Sequence, residues 1–196
     1  MGNAPEDMTV EYLKRIESLR ESLELLTKNP QIEVFHALTN QCVKAISDGG
    51  QIFFMGNGGS AAEATHIAAE FVSKCCVEHA PWPAIALNDS ISVLTAIGND
   101  FGFDEIFSRQ IKAFCNSKSV VIGLSTSGES QNVLRALEAA SELGAFTSLW
   151  TSLKNVETTI PFVKNKLVAP TYSTPRAQEI HLLWGHSIAE IIEGIL

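Results

Sequence analysis

Two short turns rich in small residues constrain the fold of this 196-residue chain more than any other feature. Each turn follows an apolar run and precedes a helical pattern. We call them the glycine turn, Gly56-Asn57-Gly58-Gly59-Ser60, and the serine turn, Ser125-Thr126-Ser127-Gly128-Glu129-Ser130. The first amides of a helix have no intrahelical partner and carry the positive end of the helix dipole, so an anion is stabilised there. Two strand-to-helix turns therefore predict an α/β fold with a site for a phosphorylated ligand.

The residue types in the two turns indicate which class of ligand they bind. Glycines let the backbone approach closely in the first turn, and hydroxyls accompany the amides in the second. Neither a G-x-G-x-x-G dinucleotide fingerprint nor a G-x-x-x-x-G-K-[ST] loop is present, so a small phosphorylated metabolite is favoured. The structural alternative is helix capping, because Ser60 with Glu63, and Thr126 with Glu129, have the spacing of a capping box.

Apolar periodicity predicts the rest of the fold. Two amphipathic helices come first, over Val10 to Leu26, ended by Pro30, and over Ile32 to Ile46, ended by Asp48-Gly49-Gly50. Strands and helices then alternate: strands 51–55, 83–87, 119–124, 145–150 and 166–169, and helices 60–73, near 90–97, 104–114, 129–142 and from Pro175 to about Gly194. This order predicts a three-layer αβα sandwich with a five-stranded parallel sheet of flavodoxin-like strand order, plus two extra N-terminal helices.

The length and net charge of the chain limit the number of domains and the kinds of partner it can have. A chain of this length can bury roughly 70% of its unfolded surface, so we expect one domain over 1–196, with a helical pair over 1–48 and an α/β core over 49–196. The net charge of −8 opposes a broad nucleic-acid or membrane surface, and no apolar stretch has the roughly 20 residues of a spanning helix. We expect a soluble cytoplasmic protein with no nucleic-acid or membrane partner. Its four cysteines are expected to be free, buried thiols, with a small chance that Cys75 or Cys76 lines a site.

The terminal helices predict self-association. The last helix carries apolar residues on more than one face, and the first is amphipathic without an obvious place on the sheet. Closed symmetric assembly is the usual result, so we expect a dimer or, more readily, a tetramer.

Histidine and carboxylate spacing predicts the chemistry. His66 and Glu70 lie one turn apart on the helix that follows the glycine turn, a spacing typical of metal ligands and of acid/base pairs. Gln178 and His186 lie about 12 Å apart along the last helix, so they reach one ion only if both side chains point inward or if two subunits contribute. Imidazole and carboxylate groups suit zinc. His36, His79 and His181 are expected to be structural or surface residues.

In combination these segments resemble the phosphoheptose isomerase family of the sugar-isomerase (SIS) domain superfamily. The resemblance covers nearly the whole chain and rests on Gly56 to Glu70, Asn99-Asp100-Phe101-Gly102-Phe103 with Phe107-Ser108-Arg109, the serine turn, and Gln178-Glu179-Ile180-His181 with His186. The serine turn alone would mark only the superfamily, whereas the set of His66, Glu70, Gln178 and His186 is typical of its catalytic isomerases.

The resemblance implies interconversion of D-sedoheptulose 7-phosphate and D-glycero-D-manno-heptose 7-phosphate, the first step toward the activated heptoses of bacterial surface polysaccharides such as the lipopolysaccharide core. It implies a cytoplasmic homotetramer with active sites between subunits and one zinc per subunit. The zinc ligands would be His66, Glu70, Gln178 and His186. Phosphate would bind to Ser125, Thr126, Ser127 and Ser130, and the sugar to Asn57, Gly58, Gly59, Ser60, Glu70, Asn99, Asp100 and Gln178.

Isomerisation through an enediol needs a base and an acid. We assign Glu70 as the base for the carbon proton and His186 as the partner that handles oxygen protons. Glu70 as a tight zinc ligand would be a poorer base, so its two roles compete.

The sequence departs from the family pattern at three places: Lys74 in place of an expected arginine, the Cys75-Cys76 pair, and Thr151-Ser152-Leu153-Lys154 in place of a glycine-rich segment. These departures bear on which sugar is used. The alternatives are an isomerase of another phosphosugar, and a non-catalytic SIS scaffold of the kind that associates with the bacterial replication initiator.

Overall fold

A computed structural model of the chain describes residues 4–29 and 31–196. Along these residues the helices are α1 (Ala4–Lys28), α2 (Ile32–Ser47), α3 (Gly59–Val72), α4 (Ile91–Phe101), α5 (Ser108–Phe114), α6 (Gln131–Glu142) and α7 (Thr174–Glu193). The strands are β1 (Ile52–Gly56), β2 (Ala84–Ala86), β3 (Val120–Leu124), β4 (Phe146–Ser152) and β5 (Asn165–Ala169). Short 3-10 turns occupy Phe103–Glu105 and Leu153–Asn155.

The described strands form one parallel sheet in the order β2-β1-β3-β4-β5. This is the predicted flavodoxin-like order, which changes direction between β1 and β3. Gly56 at the end of β1 lies opposite Leu124 at the end of β3, so the two turns leave the sheet side by side. Ligands of open α/β sheets bind at this kind of switch point.

Side-chain alternation along the strands builds the two outer layers. In β1, Ile52 and Phe54 point to one face of the sheet, while Phe53 and Met55 point to the other. Helices α2, α3 and α7 pack on the first face, and α5 and α6 pack on the second. Every residue of β1 and β3 is buried, as expected for parallel strands covered on both sides. The predicted three-layer sandwich is confirmed.

Several predicted boundaries are corrected. Helix α4 runs on to Phe101, so Asn99 and Asp100 lie in its last turn. The single helix predicted over 104–114 is a 3-10 turn followed by α5, and α6 begins at Gln131 instead of residue 129. The first helix ends at Lys28, and Pro30, predicted to end it, lies outside the described residues.

The capping interpretation of the turns is wrong. Gly58 and Ser130 are the residues that precede α3 and α6, and within the described chain neither helix start has a side-chain cap. Ser60 lies inside the first turn of α3, and Thr126 lies five residues before the start of α6. The hydroxyls of the two turns are therefore not committed to capping.

The cysteines are free across the described residues, as predicted, but only Cys42 is fully buried, and Cys76 is exposed. Exposure of Cys76 corrects the expectation of buried thiols. No helix in the described part of the chain is long and apolar enough to cross a membrane.

Candidate active site

Reciprocal hydrogen bonds join the glycine turn to the start of α6, directly after the serine turn. The Asn57 side-chain amide donates to Asn132 Oδ1, and the Asn132 amide donates back to Asn57 Oδ1, both at 2.8 Å. Asn132 is buried in the first turn of α6. Asn88 adds a second clamp, because its side chain both accepts from and donates to the backbone of Gly56. The turns are thus fixed relative to each other before any ligand binds.

The glycine turn needs its glycines for two different reasons. Gly58 has φ of +56°, a region that side chains other than glycine rarely adopt. A Cβ atom on Gly59 would lie 2.4 Å from the side-chain nitrogen of Gln178, so Gly59 leaves room for the Gln178 amide beside the turn. The Gln178 amide also donates to the Ser60 hydroxyl at 3.4 Å.

The serine turn presents hydroxyls and amides at the end of β3. Ser125 is buried, and its Oγ lies 2.9 Å from Oγ of Ser130. The hydroxyl of Ser127 accepts from the amide of Glu129, and Gly128 has φ of +69°. A turn with successive amides and hydroxyls at a helix start suits a phosphate group.

The segment Thr151-Ser152-Leu153-Lys154, at the end of β4, supports the serine turn. Ser152 donates to the carbonyl of Thr126 at 2.6 Å. Asn155 packs so closely that a Cβ on Gly128 would lie 2.4 Å from its side chain. The start of this segment and Asn155 therefore pack against the serine turn.

Three predicted metal or catalytic side chains meet within one chain. Nε2 of His66 lies 2.9 Å from Nε2 of His186 and 3.2 Å from Oε1 of Glu70. The two imidazole rings meet edge to face at 5.1 Å. A donor atom from each of the three residues lies within 4.8 Å of the others. His186 thus reaches the site without a second subunit, which removes one reason for an interfacial ligand set.

Parallel packing of α3 and α7 produces this convergence. Contacts pair the start of α3 with Gln178 and its middle with His186. The helices approach closely at Gly185, since a Cβ atom there would lie 2.5 Å from the Ile67 side chain. The helices therefore run in the same direction, which brings residues about 120 positions apart to the same level.

Gln178, Asn99 and Asp100 were also predicted at the site. Gln178 lies at the glycine turn, beside the Ser60 hydroxyl, where it can contact a sugar. Asn99 and Asp100 are exposed and hydrogen-bonded to each other. Among the hydrogen bonds of residues 4–29 and 31–196, none connects them to either turn.

Sequence reasoning missed Glu63, a buried carboxyl on α3. Burial raises the pKa of Glu63 to about 7, and the nearby Ser60 hydroxyl offsets only part of that cost. Neither carboxyl oxygen has a well-formed hydrogen bond to the described residues. The Ser60 and Glu63 spacing was visible in the sequence, but it suggested a cap because burial cannot be read from spacing.

The other histidines have structural positions, as predicted. His181 is fully buried, contacts the Thr151 carbonyl at 3.1 Å and stacks with Trp184. Burial lowers its pKa to about 4, so the ring is neutral near pH 7. His79 stacks on Trp82, and His36 is exposed.

Comparison with known proteins identifies the family of this chain. The SIS domain family model matches residues 11–151. A phosphoheptose isomerase of Thermodesulfovibrio yellowstonii is 43% identical over 180 residues, which cover 92% of this chain and 88% of the relative. One from Aquifex aeolicus is 46% identical over 152 residues, covering 78% of this chain and 79% of the relative.

Solved structures give the same result. Phosphoheptose isomerase GmhA from Neisseria gonorrhoeae matches with a TM-score of 0.81 and 32% identity, covering 96% of this chain and 98% of the other. A phosphoheptose isomerase from Francisella tularensis matches with a TM-score of 0.82 and 25% identity, covering 98% of this chain and 100% of the other. The chain therefore belongs to the phosphoheptose isomerase family of SIS-domain proteins.

Proposed function

We propose that this protein interconverts D-sedoheptulose 7-phosphate and D-glycero-D-manno-heptose 7-phosphate, a step toward the activated heptoses of bacterial surface polysaccharides. The observation that carries the proposal is the convergence of His66 and Glu70 of α3 with His186 of α7, on the helix that begins in the glycine turn. A scaffold would have no need of a carboxylate and two imidazoles held within contact distance. The names of the relatives support an isomerase over the scaffold alternative.

Glu70 is proposed as the base. Its side chain is less exposed than that of His66, 19% against 50%, so it faces the inner part of the site. The carboxylate takes the proton from the carbon beside the carbonyl and returns it to the neighbouring carbon after the enediol forms. In the metal-free site His186 moves the proton between the two sugar oxygens, and its contact with His66 fixes the ring.

Zinc fits the donor set, at one ion per subunit. Two nitrogens bound to one tetrahedral zinc lie about 3.3 Å apart when each bond is about 2.0–2.1 Å. The His66 and His186 nitrogens are 2.9 Å apart, close to that value. His66, Glu70 and His186 would hold the ion, with Gln178 as the fourth ligand. When bound, the ion would polarise the sugar carbonyl and hydroxyl as a Lewis acid.

The substrate phosphate is proposed to bind at the serine turn, through Ser125, Thr126, Ser127 and Ser130. The sugar would extend from the serine turn toward Gly58, Gly59, Ser60 and Gln178, since the two turns leave adjacent strands and Gln178 lies beside Ser60. Asn57 is proposed to contribute to the sugar site mainly by holding the glycine turn in place, because its side-chain amide is hydrogen-bonded to Asn132. Asn99 and Asp100 would contact sugar hydroxyls.

A homotetramer with active sites between subunits is proposed on the exposed apolar surface. Helix α4 has no buried residue in the described chain, and its exposed side chains are partly apolar: Ile91 is 74% exposed and Phe101 is 52% exposed. Helix α1 exposes a similar stripe that includes Leu13 and Ile16. A neighbouring subunit on α4 would also bring Asn99 and Asp100 to another copy's site.

We further propose one domain over the whole chain, since both buried clusters share one sheet. We also propose a cytoplasmic location, because the reaction is a step in sugar-phosphate biosynthesis.

Incubation with sedoheptulose 7-phosphate, followed by product analysis with and without a chelator, tests the proposal. Glu70→Gln is expected to lower kcat by about 10²–10⁴-fold, because general-base catalysis contributes this much. Glu142→Gln, the same change at an exposed position at the end of α6, is the matched control and should retain activity. Full turnover by Glu70→Gln would refute the base assignment, and no conversion by the unmodified protein would refute the proposed reaction.

A further inference from the structure

A second group of metal-ligand atoms lies beyond the site already described. Sγ of Cys75, Sγ of Cys76 and a carboxylate oxygen of Glu190 lie within 4.8 Å of one another. Cys75 and Cys76 follow the end of α3, and Glu190 lies one turn after His186 on α7. Because α3 and α7 run parallel, this cluster lies about one helical turn beyond the His66, Glu70 and His186 set along the same helix pair.

A buried carboxylate holds the cysteine turn in place. The side chain of Glu193 is only 2% exposed and accepts hydrogen bonds from three successive amides, those of Cys75, Cys76 and Val77, at 2.8–3.2 Å. His79 Nε2 lies 3.5 Å from the same carboxylate. The turn that carries both thiols is therefore fixed to α7 before a ligand arrives, which lowers the cost of gathering the donor atoms.

We propose that Cys75, Cys76 and Glu190 form a second metal site, separate from the His66, Glu70 and His186 set, that binds a thiophilic divalent cation such as Zn²⁺ or Cd²⁺. Two sulfur donors and one carboxylate suit such ions and disfavour Mg²⁺ and Ca²⁺, which prefer all-oxygen sets. Three protein ligands leave a fourth position for water. Glu193 is a positioning residue, since it holds the ligand-bearing turn and offers its oxygens to amides.

Other uses of the two thiols fit the structure less well. A disulfide between adjacent residues requires a strained ring. A cysteine thiol is a poor nucleophile until it loses its proton. A bound cation displaces that proton, because thiolates are the metal-binding form. Metal binding therefore uses both thiols and the carboxylate beside them.

Cadmium titration of the full chain tests the site by the ultraviolet charge-transfer band of thiolate bound to Cd²⁺. We expect the unmodified protein to give this band, and His66→Gln, which disables the first site, to give it at one Cd²⁺ per chain. Cys76→Ser and Glu190→Gln should each weaken Cd²⁺ binding by at least about tenfold, since loss of even an outer-shell partner costs about 10–100-fold. Glu193→Gln should weaken it while leaving the band shape unchanged, because the ligands themselves remain.

Cys115→Ser is the matched control, because Cys115 is a free cysteine outside the cluster, and it should leave the band intact. Circular dichroism checks that each variant folds. If Cys76→Ser does not fold, Glu190→Gln tests the ligand set instead. The proposal is overturned if the band is absent from the unmodified protein, if it survives both ligand variants at full affinity, or if it is lost in Cys115→Ser. None of these readouts uses isomerase activity, so the proposed function is tested separately.

Discussion

Replacing Glu63 with Gln is expected to make the protein more stable above pH 7 relative to the unmodified chain. Burial raises the pKa of this carboxyl from 4.5 to about 7 in the folded state. Between these values the folded state holds a proton that the unfolded state has released. By linkage, the free energy of unfolding falls as pH rises through this window and is level above it.

The magnitude follows from the pKa difference. At about 1.4 kcal/mol per pKa unit, a rise from 4.5 to about 7 corresponds to about 3 kcal/mol. Water that still reaches the carboxyl reduces this, so we expect about 1–3 kcal/mol. Gln is neutral at every pH and removes this dependence. The advantage of Glu63→Gln should therefore grow by about 1–3 kcal/mol from acid to alkaline pH.

A second buried group conceals the effect in the unmodified protein. The pKa of His181 falls from 6.5 to about 4 because the ring is buried, so here the unfolded state binds the extra proton. Its contribution to stability is lost as pH falls from 6.5 toward 4, the opposite sign to Glu63. The two terms nearly cancel between pH 4.5 and 6.5. Glu63→Gln should therefore expose the slope of His181.

Urea unfolding at fixed protein concentration, from about pH 5 to about pH 8, measures the effect. Glu21→Gln on α1 is the matched control, because Glu21 is exposed and its replacement should leave the pH profile unchanged. If the curves of Glu63→Gln and the unmodified protein run parallel over this range, the carboxyl does not titrate differently on folding and the reasoning fails.

Two further predictions concern the site. Gly185→Val should destabilise the fold by about 1–3 kcal/mol and abolish Zn²⁺ binding by His66 and His186, because a Cβ would lie 2.5 Å from Ile67 and push α3 from α7; unchanged Zn²⁺ affinity in calorimetry would contradict it. Ser125→Ala should weaken inhibition by inorganic phosphate by about 10–100-fold with little change in kcat, since a hydrogen bond to a charged group contributes about 1.5–3 kcal/mol. An unchanged inhibition constant for phosphate would remove Ser125 from the anion site.

Much of the fold could be predicted because local patterns report burial. The runs at β1 and β3 are apolar throughout, which is typical of strands covered on both faces, and alternation with helices implies parallel pairing. Helix starts were less certain. Ser60 with Glu63 has the spacing of a capping box, but α3 begins one residue earlier and Glu63 is buried. Local spacing cannot distinguish a capping carboxylate from a buried one.

The candidate site likewise has some relations that local patterns predict and others that they do not. The sequence placed His66 and Glu70 on one helical face, and both turns at strand ends, because these relations span a few residues. It left open how His186 could reach them, and it missed Asn132 and Glu193, whose partners lie 75 and about 117 residues away.

The sequence alone determined the strand-to-helix turns, the layered α/β architecture and the types of side chain available for chemistry, because periodicity and residue type act over a few neighbouring positions. The tertiary structure alone decided which of those side chains meet. Parallel packing of α3 on α7, made possible by Gly185, brings His66 to His186 at 2.9 Å and the Cys75-Cys76 turn to Glu193. Such contacts depend on how closely two distant helices approach, and no local pattern in the chain carries that distance.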